Sequence, residues 1–228
     1  GLIGMHGGYG SAMATSNCDL MVVVGARFSD RVAGDTKAFA KDAKIIHIDI
    51  DAAEFDKNVL VDLTVRGSAD AVLSKLARNV DKADHSDWVN QIAEWSSEKK
   101  CSQHDGENVT PELVFDELNK TMRPQDILCT DVGQHQMWAA QMYDFKQPRT
   151  FITSGGLGTM GYGMGASIGS QVGNPDKRVV LITGDGSFHM NLNELTTMAS
   201  YNLPVVVIVM NNQVLGMVRQ WQKLFYGN

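Results

Sequence analysis

The sequence predicts an α/β protein with two doubly wound parallel sheets. Short apolar runs of strand length, Leu20–Val24 and Ile45–Ile50 in one half and Val179–Thr183 and Val205–Met210 in the other, alternate with segments of helical length. Continuous apolar runs are typical of buried parallel strands, because helices cover both faces of such a sheet. The two groups of runs are separated by a polar stretch, which predicts two domains.

The first predicted domain covers residues 1–80 and opens on a glycine-rich stretch, Gly4–Gly10. Its two strand-length runs are followed by a third candidate strand within Val59–Val65. The next segment, Ala69–Val80, has apolar residues at helical spacing and predicts an amphipathic helix.

Residues 81–108 form a polar link between the two domains. Trp88, Ile92 and Trp95 recur at helical spacing within it, which predicts one helix lying on the surface.

The second predicted domain covers residues 109–228. Thr110, Pro111 and Glu112 are an N-cap, a first-position proline and a first-turn acid, which together predict a helix start. A short strand, Ile127–Thr130, follows, and residues 155–173 are rich in glycine and small side chains. The strand, helix and strand over residues 179–210 predict one right-handed βαβ unit.

Bulk composition excludes several classes of protein. The 228 residues carry a net charge of −6, which favours neither nucleic acid nor an anionic membrane surface. No apolar run approaches the roughly 20 residues of a membrane span. Three widely spaced cysteines argue against a disulfide framework. The sequence therefore predicts a cytoplasmic protein from a reducing compartment.

One pair of motifs carries most of the chemical information. Gly184-Asp185-Gly186 follows one predicted strand, and Asn211-Asn212 follows the next. Parallel strands end at the edge of the sheet where α/β proteins bind ligands, so Asp185 and Asn212 are expected side by side. A carboxylate and an amide oxygen suit Mg²⁺, which often bridges to phosphates. Either motif alone is a common turn, but together they predict a site for a metal and a diphosphate.

This pair resembles the signature of thiamine-diphosphate enzymes. Within that superfamily the chain is similar to the catalytic large subunit of acetohydroxyacid synthase (acetolactate synthase), through Gly4–Gly7, Gly25–Arg31, His47–Asp51, Gly133–Trp138, Thr153–Gly161 and Asn211–Trp221. The resemblance implies a Rossmann-like middle domain over 1–80 and a truncated thiamine-diphosphate-binding domain over 109–228. The polar link takes no part in it.

The resemblance also implies the cofactor contacts of the second domain. Mg²⁺ would be bound by Asp185, the side chain of Asn212 and the main-chain oxygen of Val214. Many relatives have His in place of Val214, and a backbone ligand tolerates that difference. Met160 would support the bent cofactor. Thiamine diphosphate would be contacted by Gln134, His135, Gly158, Thr159, Met160, Gly186, Ser187, Gln213, Leu215, Gly216 and Met217.

A third implied cofactor is FAD, with a structural role in this family. Asp49 follows a strand, where an acid often binds ribose hydroxyls. The implied contacts are Ile3, Gly4, Met5, His6, Gly25, Ala26, Arg27, Phe28, Ser29, Asp49, Ile50, Ser68 and Ala69 in the first domain, and Gln136, Met137, Gly155 and Gly156 in the second.

The implied reaction is that of acetolactate synthase. Pyruvate is decarboxylated on thiamine diphosphate, and the hydroxyethyl group is condensed with pyruvate or 2-ketobutyrate, in the biosynthesis of isoleucine, valine and leucine. Arg31 would hold the acceptor's carboxylate, and Met217 and Trp221 would shape its pocket. The family implies a dimer or tetramer and a regulatory small subunit as a further partner. The activating glutamate belongs to another domain, so this chain alone is expected to be inactive.

Two other functions stay open at this point. Another thiamine-diphosphate enzyme, such as a FAD-free catabolic acetolactate synthase, glyoxylate carboligase or pyruvate oxidase, would share the metal residues. Arg27–Arg31 and Gln220-Trp221 favour the biosynthetic enzyme. The other alternative is a non-catalytic nucleotide-binding module, but Gly4, Gly7, Gly8 and Gly10 lack the usual Gly-x-Gly-x-x-Gly spacing.

Overall fold

The structure, a computed structural model, describes residues 2–98 and 108–227. The chain divides into two compact units, Gly1–Lys100 and Cys101–Asn228. One unit contains a three-stranded parallel sheet and the other a four-stranded parallel sheet. The predicted α/β class with two parallel sheets is therefore confirmed. Within the two described ranges, no helix is long and apolar enough to cross a membrane.

The first unit has its strands in the order β1-β2-β3. The third strand begins later than the sequence predicts, at Leu63. The predicted helix after it is capped by Ser68, whose hydroxyl accepts a 3.3 Å hydrogen bond from the N–H of Ala71. The elements are α1 (Tyr9–Asn17), β1 (Leu20–Val24), α2 (Asp30–Ala33), β2 (Lys44–Asp49), β3 (Leu63–Arg66), α3 (Ala69–Asn79) and α4 (Ser86–Glu98), with short 3-10 turns at Gly4–His6 and Ala52–Glu54.

The main hydrophobic cluster of the first unit lies on one face of its sheet, although Ile48 of β2 is buried on the other. Phe28, Ala33, Ala40, Ile45 and Val59 form this buried cluster. The sequence predicts strands buried on both faces, and β1 differs from that expectation. Alternate side chains of β1 are exposed because the buried cluster covers only the opposite face; Leu20 is 51% and Val22 46% exposed.

The helix predicted in the polar link is present as α4, and it packs against α1. Gly10 of α1 makes the approach close. A Cβ added at Gly10 would meet Ser96 Oγ and would lie 3.1 Å from the carbonyl oxygen of Ile92. Trp88 and Trp95 meet edge to face, with ring centroids 5.7 Å apart. The link thus contributes a packed helix to the first unit.

The second unit has the strand order β5-β4-β6-β7. Thr110 caps its first helix, accepting a 3.4 Å hydrogen bond from the N–H of Leu113, as the sequence predicts. The elements are α5 (Pro111–Thr121), β4 (Ile127–Thr130), α6 (Gln134–Met142), β5 (Phe151–Ile152), α7 (Tyr162–Gly173), β6 (Val179–Gly184), α8 (Asp185–Asn191), α9 (Leu195–Ser200), β7 (Val206–Met210) and α10 (Gly216–Phe225), with a 3-10 turn at Leu192–Glu194.

Buried clusters cover both faces of β4 and β6 in this unit. Leu128, Val180 and Ile182 point into one cluster with Phe115 of α5 and Ala139 of α6. The alternate residues of the same strands point into a second cluster with Met164 of α7 and Met198 of α9. Helices on both faces make this sheet doubly wound, as predicted.

The turn before β4 is held by Asp126. Its side chain is fully buried and accepts hydrogen bonds from Arg123 Nη2 at 2.8 Å, from the N–H of Arg123 at 2.9 Å and from the N–H of Arg178 at 3.2 Å. Burial acts to raise the pKa of Asp126, but these hydrogen bonds outweigh it and hold that pKa below its usual value. The carboxylate therefore joins the starts of β4 and β6.

Candidate cofactor site

The two predicted metal ligands come together at the carboxyl edge of the second sheet. β6 and β7 are paired so that Gly184 lies opposite Met210. Asp185 is the first residue of α8, directly after β6. Asn212 lies two residues beyond β7, and its Oδ1 accepts a 3.2 Å hydrogen bond from the N–H of Val214. The chain turns sharply here, because Gln213 has a φ of +58°.

A cavity opens at this edge, and its lining includes most of the residues predicted to contact thiamine diphosphate and its metal. The ends of β4, β6 and β7 and the start of α10 supply its walls. It is lined by Val132, Gly133, Gln134, His135, Trp138, Gly158, Met160, Gly184, Asp185, Gly186, Ser187, Met210, Asn212, Val214, Leu215, Gly216, Met217 and Val218. Thr159, Gln213 and Trp221 lie outside this lining.

His135 is among the residues that line this cavity, and it has an unsatisfied polar atom. The residue is 5% exposed, and its Nε2 has no hydrogen-bond partner in the structure. Burial lowers the pKa of His135 to about 4, although Asp131 and Asp185 act to raise it. Positions 133 and 184 must be small, since an added Cβ would lie 2.8 Å from His135 Cε1 at Gly133 and 3.0 Å from Nδ1 at Gly184. Because few buried polar atoms in folded proteins lack a partner, the Nε2 of His135 marks the surroundings of this cavity as a candidate functional site.

Asp131 was not anticipated from the sequence, yet it organises the loop before α7. It is 1% exposed and accepts hydrogen bonds from the N–H groups of Gly161 at 2.8 Å and Gly163 at 3.0 Å. Asn191 of α8 donates to the carbonyl of Gly161 at 2.6 Å. These bonds fix the loop that carries Gly158 and Met160. The available sequence signal was an acid directly after a buried strand.

Two glycines permit close approaches inside the site. At Gly186 an added Cβ would lie 2.8 Å from Leu215 Cδ2 and 3.6 Å from Met160 Cε. At Gly216 it would meet Gln134 Oε1 and would lie 2.9 Å from Asn212 Nδ2. Glycine at these two positions therefore lets Leu215 pack against the start of α8, and lets Gln134 and Asn212 pack against the start of α10.

The donor set fits a hard cation that takes its remaining ligands from a phosphate. Asp185 supplies a carboxylate, Asn212 an amide oxygen and Val214 a main-chain carbonyl, all on the cavity lining. In the described part of the chain, no group of three His, Cys, Asp or Glu side chains could hold a metal ion. Mg²⁺ suits such a site because it commonly uses one or two carboxylates together with phosphate oxygens.

Among the predicted residues of the second unit, Ser187 also lines the cavity, and others lie outside its lining. Ser187 is buried, and its hydroxyl donates to the carbonyl of Val132 at 2.9 Å. Gln136 is buried, and its side-chain amide donates a 2.8 Å hydrogen bond to Thr153 Oγ1. Met137 is the next residue of α6. Thr159 donates its N–H to Ser154 Oγ at 3.1 Å. Gly155 and Gly156 are exposed. Trp221 is 45% exposed and lies against Phe225, with ring centroids 4.9 Å apart.

In the first unit, His47 links two groups of predicted FAD contacts. Its buried ring lies 3.0 Å from the carbonyl of Ala26 and 3.8 Å from the carboxylate of Asp49. Phe28 and Phe55 meet the ring edge to face, at centroid distances of 5.1 and 5.3 Å. The loop after β1 and the end of β2 are thereby held together.

Other predicted residues of the first unit lie at the same sheet edge. Gly25 donates its N–H to the carbonyl oxygen of Ile48 at 2.9 Å. Arg27 and Ser29 follow β1, and Ile50 follows β2. Ser68 and Ala69 follow β3. Gly4 has a φ of +71°, and a Cβ there would lie 2.7 Å from Val32 Cα, so the turn carrying Ile3, Met5 and His6 lies against α2. Arg31, in α2, has a half-exposed side chain 3.8 Å from Asp30.

Comparison with protein families gives two matches along the chain. Residues 1–76 match the central domain of thiamine pyrophosphate enzymes. Residues 131–228 match the C-terminal TPP-binding domain of thiamine pyrophosphate enzymes. The cavity lies within the second match.

Individual relatives extend the likeness over the whole chain. The chain is 43% identical to the probable acetolactate synthase large subunit of Methanococcus aeolicus over 100% of its own length and 41% of the relative's. It is 45% identical to the acetolactate synthase large subunit of Corynebacterium glutamicum, over 99% of the chain and 37% of the relative. It is 43% identical to the acetolactate synthase isozyme 2 large subunit of Escherichia coli, over 99% of the chain and 41% of the relative. The chain thus spans about two fifths of the length of these relatives.

The two family matches follow one another along a single chain, and the acetolactate synthase relatives cover both of them and the stretch between. The chain therefore belongs to the thiamine pyrophosphate enzymes and is a homologue of part of the acetolactate synthase large subunit.

Proposed function

We propose that this chain is the cofactor-binding part of an acetolactate synthase that joins two 2-keto acid molecules with loss of CO₂. The observation that carries the proposal is the cavity whose lining brings together Asp185, Asn212 and the buried His135. The relatives named acetolactate synthase large subunit support the choice of reaction. Three predicted domain ranges, 1–80, 81–108 and 109–228, belong to the same proposal.

In this proposal Mg²⁺ is held by Asp185, Asn212 and the carbonyl of Val214. Ser187 and Gly186 lie at the start of α8, where backbone N–H groups favour a diphosphate. Met160 lies against Gly186 and supplies an apolar surface. Bound thiamine diphosphate would supply a carbon nucleophile and an electron sink. The protein's part is to hold, orient and enclose it.

FAD is the proposed third cofactor, placed at the carboxyl edge of the first sheet. Three predicted contacts support this: the loop after β1, Asp49 at the end of β2, and Ser68 after β3. They lie at neighbouring strand ends, which is where α/β sheets bind nucleotides. The proposed role is structural, with no electron transfer.

The proposed substrates are pyruvate and 2-ketobutyrate. Met217 lines the cavity, which supports its proposed contact with the acceptor. The proposed roles of Arg31 and Trp221 rest on family resemblance alone. A regulatory small subunit is proposed as a partner because the relatives are named large subunits. A homo-oligomer is proposed from the family resemblance, and a cytoplasmic location from the three widely spaced cysteines.

The test is acetolactate formation from pyruvate by the complete protein that contains this chain, with Mg²⁺ and thiamine diphosphate, with and without added FAD. Activity that requires FAD supports the biosynthetic synthase. Activity with no flavin requirement supports the FAD-free relative and contradicts the FAD site. Thiamine diphosphate binding without acetolactate would limit the proposal to cofactor binding, as for a glyoxylate carboligase or a pyruvate oxidase.

A further inference from the structure

Beside the cofactor cavity lies a second cavity that is lined by two cations. It has a volume of about 380 Å³ and is lined by Gln134, Asn212, Val214, Gly216, Arg219, Gln220, Lys223 and Leu224. Its first four lining residues also line the cofactor cavity. No residue in this lining carries a carboxylate.

We propose that Arg219 and Lys223 form an oxyanion-binding element for the diphosphate of the cofactor. This inference rests on the proposed thiamine-diphosphate site. The two residues are four positions apart in α10, so their side chains emerge from the same face one turn apart. A guanidinium and an ammonium in that arrangement can both reach one anion.

The shared lining residues indicate which end of the cofactor is near. Asn212 and Val214 are the proposed metal ligands, so the second cavity adjoins the metal and not the apolar wall formed by Met160 and Met217. The metal end is the diphosphate end, because Mg²⁺ bridges to phosphate oxygens.

The side chains between the two cavities are organised before any ligand binds. Gln134 Nε2 donates to Gln220 Oε1 at 3.0 Å, which ties α6 to α10 next to Arg219. Within the described residues, neither Arg219 nor Lys223 forms an ion pair. Both cations are therefore available to an incoming anion.

Charge balance favours a diphosphate over a neutral ligand. A single Mg²⁺ beside the carboxylate of Asp185 neutralises only part of a diphosphate. Arg219 and Lys223 would supply further positive charge in a protein whose net charge is −6. Because both side chains are exposed, their effect is expected to be moderate and sensitive to salt.

The experiment measures the dissociation constant of thiamine diphosphate by titration calorimetry on the complete protein at fixed Mg²⁺. Arg219→Ala and Lys223→Ala are each expected to raise this dissociation constant about threefold to tenfold at low salt. The double variant is expected to raise it further than either single variant. The double variant is also expected to show a weaker dependence on salt, which loss of structure alone would not produce. Arg219→Lys should recover part of the affinity.

Lys177→Ala is the matched control, because it removes one positive charge at the amino end of β6, away from both cavities. It should leave the dissociation constant unchanged. An unaltered affinity in the double variant would overturn the proposal. So would an unaltered affinity with a raised KM for pyruvate, which would assign the cations to a substrate carboxylate.

Inorganic diphosphate separates this inference from the proposed function. If the wild type binds inorganic diphosphate but not thiamine diphosphate, the cofactor proposal fails. Weaker diphosphate binding in the double variant would then still support an oxyanion site. If the wild type binds neither compound, both proposals are wrong.

Discussion

The buried carboxylate of Asp131 accepts a 3.0 Å hydrogen bond from the N–H of Gly163, and there is no room for a side chain between them. A Cβ at Gly163 would lie 2.8 Å from the N of Asp131 and 2.8 Å from Leu181 Cδ1. The contact therefore sets the distance between α7 and the end of β4.

Gly163→Ala is expected to destabilise the second unit by about 1–3 kcal/mol, because overpacking forces backbone or side chains apart. Gly165→Ala is the matched control in the same helix, since nothing lies within 4 Å of an added Cβ there. That control should gain up to about 1 kcal/mol from better helix propensity. Urea unfolding of both variants checks the pair, and equal effects would contradict the close packing at Gly163.

Asp185→Asn should weaken Mg²⁺-dependent binding of thiamine diphosphate by more than about 100-fold, because it removes the only carboxylate among the proposed ligands. Asp176→Asn makes the same change in charge in the turn before β6 and should leave binding unaltered. Titration calorimetry in Mg²⁺ and in EDTA measures both. Retained metal-dependent binding in Asp185→Asn would refute the metal assignment.

Because the pKa of the buried His135 is lowered, the second unit is expected to become less stable as the pH falls. Its pKa is about 4 in the folded protein and about 6.5 when unfolded, so the unfolded chain binds more protons between these values. The contribution of neutral His135 to the free energy of unfolding is fully present above pH 6.5 and declines as the pH falls towards 4. Between pH 7 and pH 5 this contribution decreases by about 2 kcal/mol. His135→Gln should lack this part of the decline.

Urea unfolding at pH 7 and pH 5 checks the His135 prediction. His189→Gln is the control, because His189 is an exposed histidine of α8 in the same unit. It should retain the wild-type decline. An identical decline in His135→Gln would show that other groups cause it.

Asp126→Asn is expected to destabilise the second unit by about 1–3 kcal/mol at pH 7, because a buried acceptor of several hydrogen bonds loses its charge. The folded pKa of Asp126 is lowered, so its contribution is present above the unfolded pKa of about 4 and is lost as pH falls through the folded pKa. Asp144→Asn, at an exposed carboxylate 3.7 Å from Lys146, should cost under about 1 kcal/mol.

His47→Phe should raise the dissociation constant of FAD about tenfold, because the ring packing is kept while the hydrogen bond to Ala26 is lost. His47→Gln retains an N–H donor of similar reach and should bind FAD more tightly than His47→Phe. Flavin fluorescence quenching measures both, and thermal unfolding without FAD checks that the unit still folds. Equal FAD affinities in the two variants would limit His47 to packing.

The strands and the meeting of Asp185 with Asn212 at one sheet edge could be predicted because their signals are local. β1 and β4 begin and end where the apolar runs Leu20–Val24 and Ile127–Thr130 predict. Asp185 and Asn212 follow strand ends, so parallel pairing alone places them together.

Other features could not be predicted because they depend on tertiary contacts. α7 is rich in glycine and α8 is short, and neither sequence has a helical pattern of apolar residues. The start of α7 is fixed by Asp131, which accepts hydrogen bonds from the backbone N–H groups of Gly161 and Gly163. α10 is an exception: its sequence carries a helical pattern, with Met217, Val218 and Trp221 at helical spacing, but it was not among the predicted helices. The burial of His135 follows from glycines on β6 and before α6, far apart in sequence.

The pairing of Gly184 with Met210 limits which changes in chain length can disturb the proposed metal ligands. All three come from one uninterrupted stretch of chain, from Asp185 to Val214, and the pairing of β6 with β7 lies inside that stretch. An insertion or deletion outside this stretch therefore leaves the spacing of the ligands along the sequence unaltered.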